Sequence, residues 1–285
     1  MKKIVSYGKA LIKEFSNDDV PLLAAAQAYY YILSFVPMIV LIFAILPYLN
    51  INPTQAIEVI ENVMPSATVE VFEEQIISIL TEPNGGLLTV GIIGTIWSAS
   101  NGMNALITAQ NVAYNVKENR PFIKKRLLSI GLTFGIIIAL LVALVLPVFG
   151  DILISTIGTL VYIPSEVEML VRVLRWVVSI IIIVTIFSAL YHFAPNIKLP
   201  FRYAIPGAVF STIAWQLTSL GFSFYISNFA NYSETYGSLG GVFMLMLWFY
   251  LIGIILVVGA ELNAILYRKK RIQVHVEDID KTSIQ

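Results

Sequence analysis

The 285-residue sequence predicts an all-α, polytopic membrane protein. It has six transmembrane helices, both termini in the cytoplasm, and amphipathic helices on the external side between spans one and two. Three observations carry this. Hydrophobic residues make up 58% of the chain and charged residues 13%, with a mean hydropathy of +0.81, whereas a soluble domain carries about 25% charged residues. So few charges cannot cover a water-facing surface. Six apolar stretches, near 23–49, 86–113, 127–149, 172–194, 203–228 and 240–267, each reach the roughly 20 residues that a helix needs to cross a bilayer core. Every Lys and Arg except Arg172 and Arg175 falls in the N-terminal segment, the second and fourth connections, or the C-terminal segment, and the positive-inside rule places all of these in the cytoplasm.

In chain order, residues 1–20 set Lys2, Lys3, Lys9 and Lys13 among Ile4, Val5, Leu11, Ile12 and Phe15, a pattern that suits a basic interfacial helix. Lys9, Lys13 and Glu14 interrupt any signal-peptide core, so the segment is expected to stay in the mature chain. Ser16, Asn17 and Asp18 can cap the next helix, with Pro21 in its first turn. The membrane domain occupies 21–270. Its first span opens on the small residues Ala24, Ala25, Ala26 and Ala28, a packing face, and Pro37 should kink it. The external loop, 50–85, carries Glu58, Glu61, Glu70, Glu73, Glu74 and Glu82 and no basic residue. Val69, Phe72, Ile76, Ile79 and Leu80 recur there at helical steps, with Pro53 and Pro65 dividing the loop into two short helices over the outer mouth of the bundle. Residues 271–285 read as a flexible cytoplasmic tail.

Ionisable and amide groups inside apolar spans are costly, which makes them functional candidates. Two readings fit Glu261 in the sixth span: a proton-binding or substrate-coupling carboxylate, or an interfacial carboxylate held by a neighbouring helix or basic side chain. In the second span Asn101, Asn104, Thr108 and Asn111 fall on one helix face. They can line a hydrated cavity or bond across the bundle. Gln216 and Asn263 complete the candidate substrate or coupling set. Lys117, Arg120, Lys124, Lys125 and Arg126 are candidate contacts for an anionic lipid headgroup, and membrane orientation alone also explains them.

Other chemistry is missing from the sequence. There is no cysteine, and the two histidines, His192 and His275, stand outside any metal-ligand spacing. No phosphate-binding loop and no nucleophile elbow is present. No metal and no cofactor is expected. Formal charge is +0 and the basic residues form only short juxtamembrane clusters, so no nucleic-acid platform is expected either. The chain reads as a non-enzyme.

Several segments together carry a resemblance. They are Ala24-Ala25-Ala26 with Leu33-Ser34-Phe35-Val36-Pro37; Trp97-Ser98-Ala99-Ser100 with Gly102-Met103-Asn104; and Tyr191-His192-Phe193-Ala194-Pro195-Asn196. Further along come Tyr236-Gly237-Ser238-Leu239-Gly240-Gly241 and Gly259-Ala260-Glu261-Leu262-Asn263-Ala264. In this order they resemble the YihY/BrkB family of bacterial inner-membrane proteins. The resemblance implies a six-helix protein of the bacterial cytoplasmic membrane. It marks Ser34, Pro37, Asn101, Asn104, Glu261 and Asn263 as family-type positions without assigning them roles. Some members have carried the name ribonuclease BN, a label at odds with a sequence lacking metal-ligand spacing and a soluble catalytic domain.

The expected function is therefore transporter-like handling of an anionic lipid or small polar solute, with membrane lipids as partners. The alternative is a non-catalytic membrane scaffold or envelope-integrity factor, and a membrane-bound ribonuclease is a distant third. A homo-oligomer stays open, because small-residue faces such as Gly237 to Gly241 serve packing within or between chains.

Overall fold

The computed structural model describes residues 2–49, 77–78, 82–138, 165–229 and 238–282. Among these residues the regular structure is helical, without strands. Helix α1 covers Lys2–Asn17 and α2 covers Val20–Ile45, followed by a 3-10 turn at Leu46–Leu49. Helix α3 is Gly85–Ala113, and α4 occupies the described residues 122–138. Helix α5 is Ser165–Phe193; a 3-10 turn at Phe201–Tyr203 precedes α6, Ile205–Phe229, and α7 runs over Ser238–Thr282.

Among the described residues, three stretches are long and apolar enough to cross a membrane: Val20–Ile45, Trp176–Phe193 and Gly240–Lys270. Helices α3 and α6 coincide with the second and fifth expected spans, and their Ser, Thr, Asn and Gln residues dilute their apolar character. The third expected span begins in α4, and its remainder lies outside the described residues. So does most of the acidic external loop. Helix α7 continues through 271–282, where the sequence reads as a tail, since no Gly or Pro follows Gly259 to stop it.

The chain forms two compact units, residues 1–28 with 102–285, and residues 29–101. In the larger unit the interior combines large apolar side chains, among them Leu106, Ile107, Leu190 and Tyr191, with small and polar ones. Ala24, Ala28, Ala109, Ala113, Ala204, Ala208, Ala260 and Ala264 are buried, together with Gln27, Gln110, Glu261 and Asn263. Other large apolar groups point outward: Leu217, Leu220 and Phe224 on α6 are exposed, Leu220 by 70%. Water would penalise that surface at about 25 cal/mol per Å². Lipid does not, and helices in lipid associate through close approach and polar contacts. Gly253 shows how close: a Cβ there would stand 2.9 Å from the Ala24 carbonyl oxygen, so the start of α2 lies directly on α7.

The smaller unit pairs the body of α2 with the first turns of α3. Helix α2 runs through Pro37, which removes one intrahelical hydrogen bond. Opposite it, a Cβ on Gly94 would lie 3.2 Å from the Pro37 Cβ, and one on Gly91 would lie 2.9 Å from the Leu41 Cα. Glycine at these two positions lets the helices meet.

Candidate functional site

Helices α1 and α2 are joined by a tight reversal. The Asp18 N–H donates to the Glu14 carbonyl at 2.9 Å, and Asp19 takes a φ of 47°, a left-handed conformation that Asp tolerates better than most residues. The Asp19 carbonyl then starts α2 by accepting from the Leu22 and Leu23 N–H groups at 2.9 and 3.1 Å. This reversal sets Glu14 and Asp18 against Glu261 on α7. One oxygen from each of the three carboxyl groups lies within 4.8 Å of the others. Glu14 and Asp18 are half-buried, whereas Glu261 is 0% exposed.

Two turns further along α7, Arg268 places Nη2 3.4 Å from Glu14 Oε1 and 4.0 Å from Glu261 Oε2. Both are ion pairs without a hydrogen bond, since Arg268 Nη2 is buried with no hydrogen-bond partner. Both Glu261 oxygens and Asp18 Oδ2 are buried with no donor group facing them, and the Asp18 and Glu261 carboxyl groups lie close enough to share a proton. Lys269 also fastens α1 to this end of α7. Its Nζ sits 3.7 Å from the Tyr7 ring centroid and donates to Ser6 Oγ at 3.3 Å.

More unpaired polar atoms gather on the neighbouring elements. Tyr114, just past α3, packs with Ala260 and Ala264 on either side of Glu261. It is 6% exposed, its hydroxyl is buried without a partner, and it is near enough to feel the charges of Glu261 and Arg268. One turn back on α3, Gln110 is buried with both amide atoms unpaired. Gln27 donates to the Leu23 carbonyl at 3.2 Å and leaves its own oxygen unpaired. Each such atom costs about 1–3 kcal/mol.

The other candidates are distributed differently. Asn263 accepts from the Gly207 N–H at 2.7 Å and donates to the Ala204 carbonyl at 3.1 Å, binding α7 to the start of α6. Beside it, the Tyr191 hydroxyl donates to the Leu256 carbonyl at 2.9 Å and contacts Ser211 Oγ at 2.6 Å. Asn111 accepts from the Asn196 N–H at 2.7 Å and donates to Glu118 at 2.9 Å. Thr108 is exposed and bonds only the Asn104 carbonyl, one turn back at 3.0 Å. Asn101 and Asn104 are half-buried. Of the basic loop, Lys117 and Lys124 are exposed and Lys125 and Arg126 are half-buried. Arg120 grips Glu118 with two side-chain hydrogen bonds of 2.8 and 2.7 Å, and also donates to the Ala194 carbonyl at 2.8 Å.

Those Arg120 hydrogen bonds hold the Glu118 carboxyl at about 2, below its ordinary 4.5. The folded protein therefore binds this proton less readily than the unfolded chain. Its stabilising contribution is complete above pH 4.5 and is lost as the pH falls through about 2. Glu118→Gln should lower stability at neutral pH by about 1–3 kcal/mol, with the gap to wild type closing on acidification. Melting curves in detergent at stepped pH check this, and a pH-independent gap would contradict it.

A groove of about 330 Å³ lies between α5 and α6. Trp176, Ser179 and Ile183 line one side and Trp215, Gln216 and Ser219 the other. It joins aromatic walls to a few polar groups within a stretch, Trp176–Phe193, apolar enough to cross a membrane. Sequence reasoning singled out Glu261 and Gln216 but missed Glu14 and Asp18 as neighbours of Glu261, along with Tyr191 and Trp176. No spacing rule connects residues brought together from the two ends of the chain.

The family described as Virulence factor BrkB matches residues 11–280. The putative ribonuclease-like protein YfkH of Bacillus subtilis is 42% identical over 268 residues, covering 94% of this chain and 98% of YfkH. The UPF0761 membrane protein PBPRA3489 of Photobacterium profundum is 30% identical over 283 residues, 96% of this chain and 84% of its own. No solved structure matches the chain. With one continuous match that takes in the C-terminal end of α1, the Glu261 segment and the Asn263 clamp, the chain belongs to the BrkB family of membrane proteins.

Proposed function

We propose that this protein is a transporter-like protein of the bacterial inner membrane, crossing it six times with both termini in the cytoplasm, and that it handles an anionic lipid or a small polar solute. The groove between α5 and α6 carries the reading. Its volume of about 330 Å³ falls at the lower end of small-molecule sites, which are mostly apolar with a few placed polar groups. Ile183 and the two tryptophans suit an acyl chain, while Gln216, Ser179 and Ser219 suit the polar part. Lys117, between α3 and α4, and Lys124, in the first turn of α4, are both exposed and supply positive charge for an anionic headgroup. Arg120 is engaged with Glu118 and Ala194. Glu261, buried in an apolar helix, is the coupling residue of this reading.

The test is native mass spectrometry of the full chain purified in mild detergent. Wild type should carry a stoichiometric lipid or solute, and Gln216→Leu, which keeps the side chain's bulk, should lose it. A bare wild type, or equal retention in both, would sink the proposal. The scaffold reading draws on Asn111 and Asn263, whose side chains are taken up by bonds that fasten helices, and those bare spectra would favour it. A nuclease reading draws on the name of YfkH. Against it stands the complete burial of Glu261, out of reach of RNA; metal-dependent RNA cleavage by purified protein would reinstate it.

A further inference from the structure

We propose that Glu14, Asp18 and Glu261 hold a hard divalent cation where α1 docks on α7. The first argument is geometric. Three atoms mutually within 4.8 Å have a common point no more than about 2.8 Å from each, close to the 2.3–2.6 Å of calcium–oxygen bonds. Small side-chain rotations bring all three oxygens onto one ion. The second argument is charge. The charged groups acting on Glu261 are Asp18, Glu14 and Arg268, so three carboxylates face one guanidinium. Lys269 is turned away onto Tyr7 and Ser6. One divalent cation balances the two excess negative charges, whereas a single bound proton leaves one of them, on the half-buried Glu14 or Asp18, to be compensated by solvent.

The third argument comes from outside the acidic cluster. Tyr114 is buried, its hydroxyl is unpartnered, and it packs against the α7 turn that carries Glu261. It lies near enough to Glu261 to feel its charge, and so offers a further oxygen on that side of the site. An all-oxygen set without imidazole or thiolate selects magnesium, calcium or manganese over zinc or copper. Such an ion would pin the N-terminal helix to the bundle.

The probe is Mn²⁺, followed by electron paramagnetic resonance on the full chain in detergent after chelator treatment. Wild type should bind one ion per chain, displaced by Mg²⁺ or Ca²⁺, with a raised melting temperature. Asp18→Asn and Glu14→Gln, shape-preserving changes at half-buried positions, should each weaken binding by at least about tenfold. Glu118→Gln, on a separate loop, should bind as wild type does. No binding at millimolar Mn²⁺, or equal binding by Asp18→Asn and wild type, would overturn the site and leave the carboxylates as proton carriers only. The site shares Glu261 with the transport reading, but ion binding is read directly and lipid retention separately. Either can fail alone.

Discussion

Gly207→Ala will destabilise the bundle by about 3 kcal/mol or more, because overpacking and a lost polar clamp add together. A Cβ at Gly207 would collide with the Gly259 carbonyl oxygen and with the Asn263 amide. The first obstacle is backbone and cannot rotate aside. The second is the side chain that accepts from the Gly207 N–H and donates to the Ala204 carbonyl, so moving it opens both bonds in a buried place. A Cβ on Gly259 would likewise meet Ser211 of α6 and Tyr191 of α5, so the close approach of α6 and α7 depends on both glycines. Gly221 on the same helix as Gly207 is the control, since nothing lies within 4 Å of a Cβ there. Gly221→Ala should be neutral or stabilising by up to about 1 kcal/mol from helix propensity alone. Thermal melting in one detergent compares the pair. Equal melting of Gly207→Ala and wild type would mean that α6 and α7 do not meet at this glycine.

The membrane character was legible because it depends on sums over long windows: apolar runs, few charges, and basic residues confined to one set of connections. Within the described residues, helices stand at each apolar stretch for the same reason. The polar groups were legible only as exceptions. Nothing in the segment Gly259 to Ala264 tells that Glu261 faces two other carboxyl groups while Asn263, two residues on, is taken up by the backbone of α6. The two side chains point to different neighbours because successive positions on a helix are about 100° apart. What each meets depends on α1 and α6, which the sequence places far away. The stripe on α3 divides in the same manner: Asn111 ties the loop to Asn196, whereas Thr108 is exposed and bonds its own helix. Periodicity defines a face but not its partner.

Glu261→Gln is expected to abolish function in cells while leaving folded protein. The amide keeps the volume of the carboxylate, so the packing around Ala260 and Ala264 is undisturbed. It also brings two N–H donors to a place where Asp18 Oδ2 has no partner, and it removes one of three like charges. Breaking the ion pair with Arg268 costs little, since the separation is already 4.0 Å and Glu14 remains at 3.4 Å. After chelator treatment, with no divalent cation present, the melting temperature should therefore stay within about 2 °C of wild type or rise. Loss of charge is then the one large change, and a residue that couples movement to a cation cannot work without it. Complementation of a strain lacking the wild-type copy, under envelope stress, should fall to the level of empty vector. A scaffold needs shape and not charge, so full complementation by Glu261→Gln would remove the coupling role and leave Glu261 as a structural acid. Glu261→Ala does not discriminate, because it opens a cavity and removes the charge together.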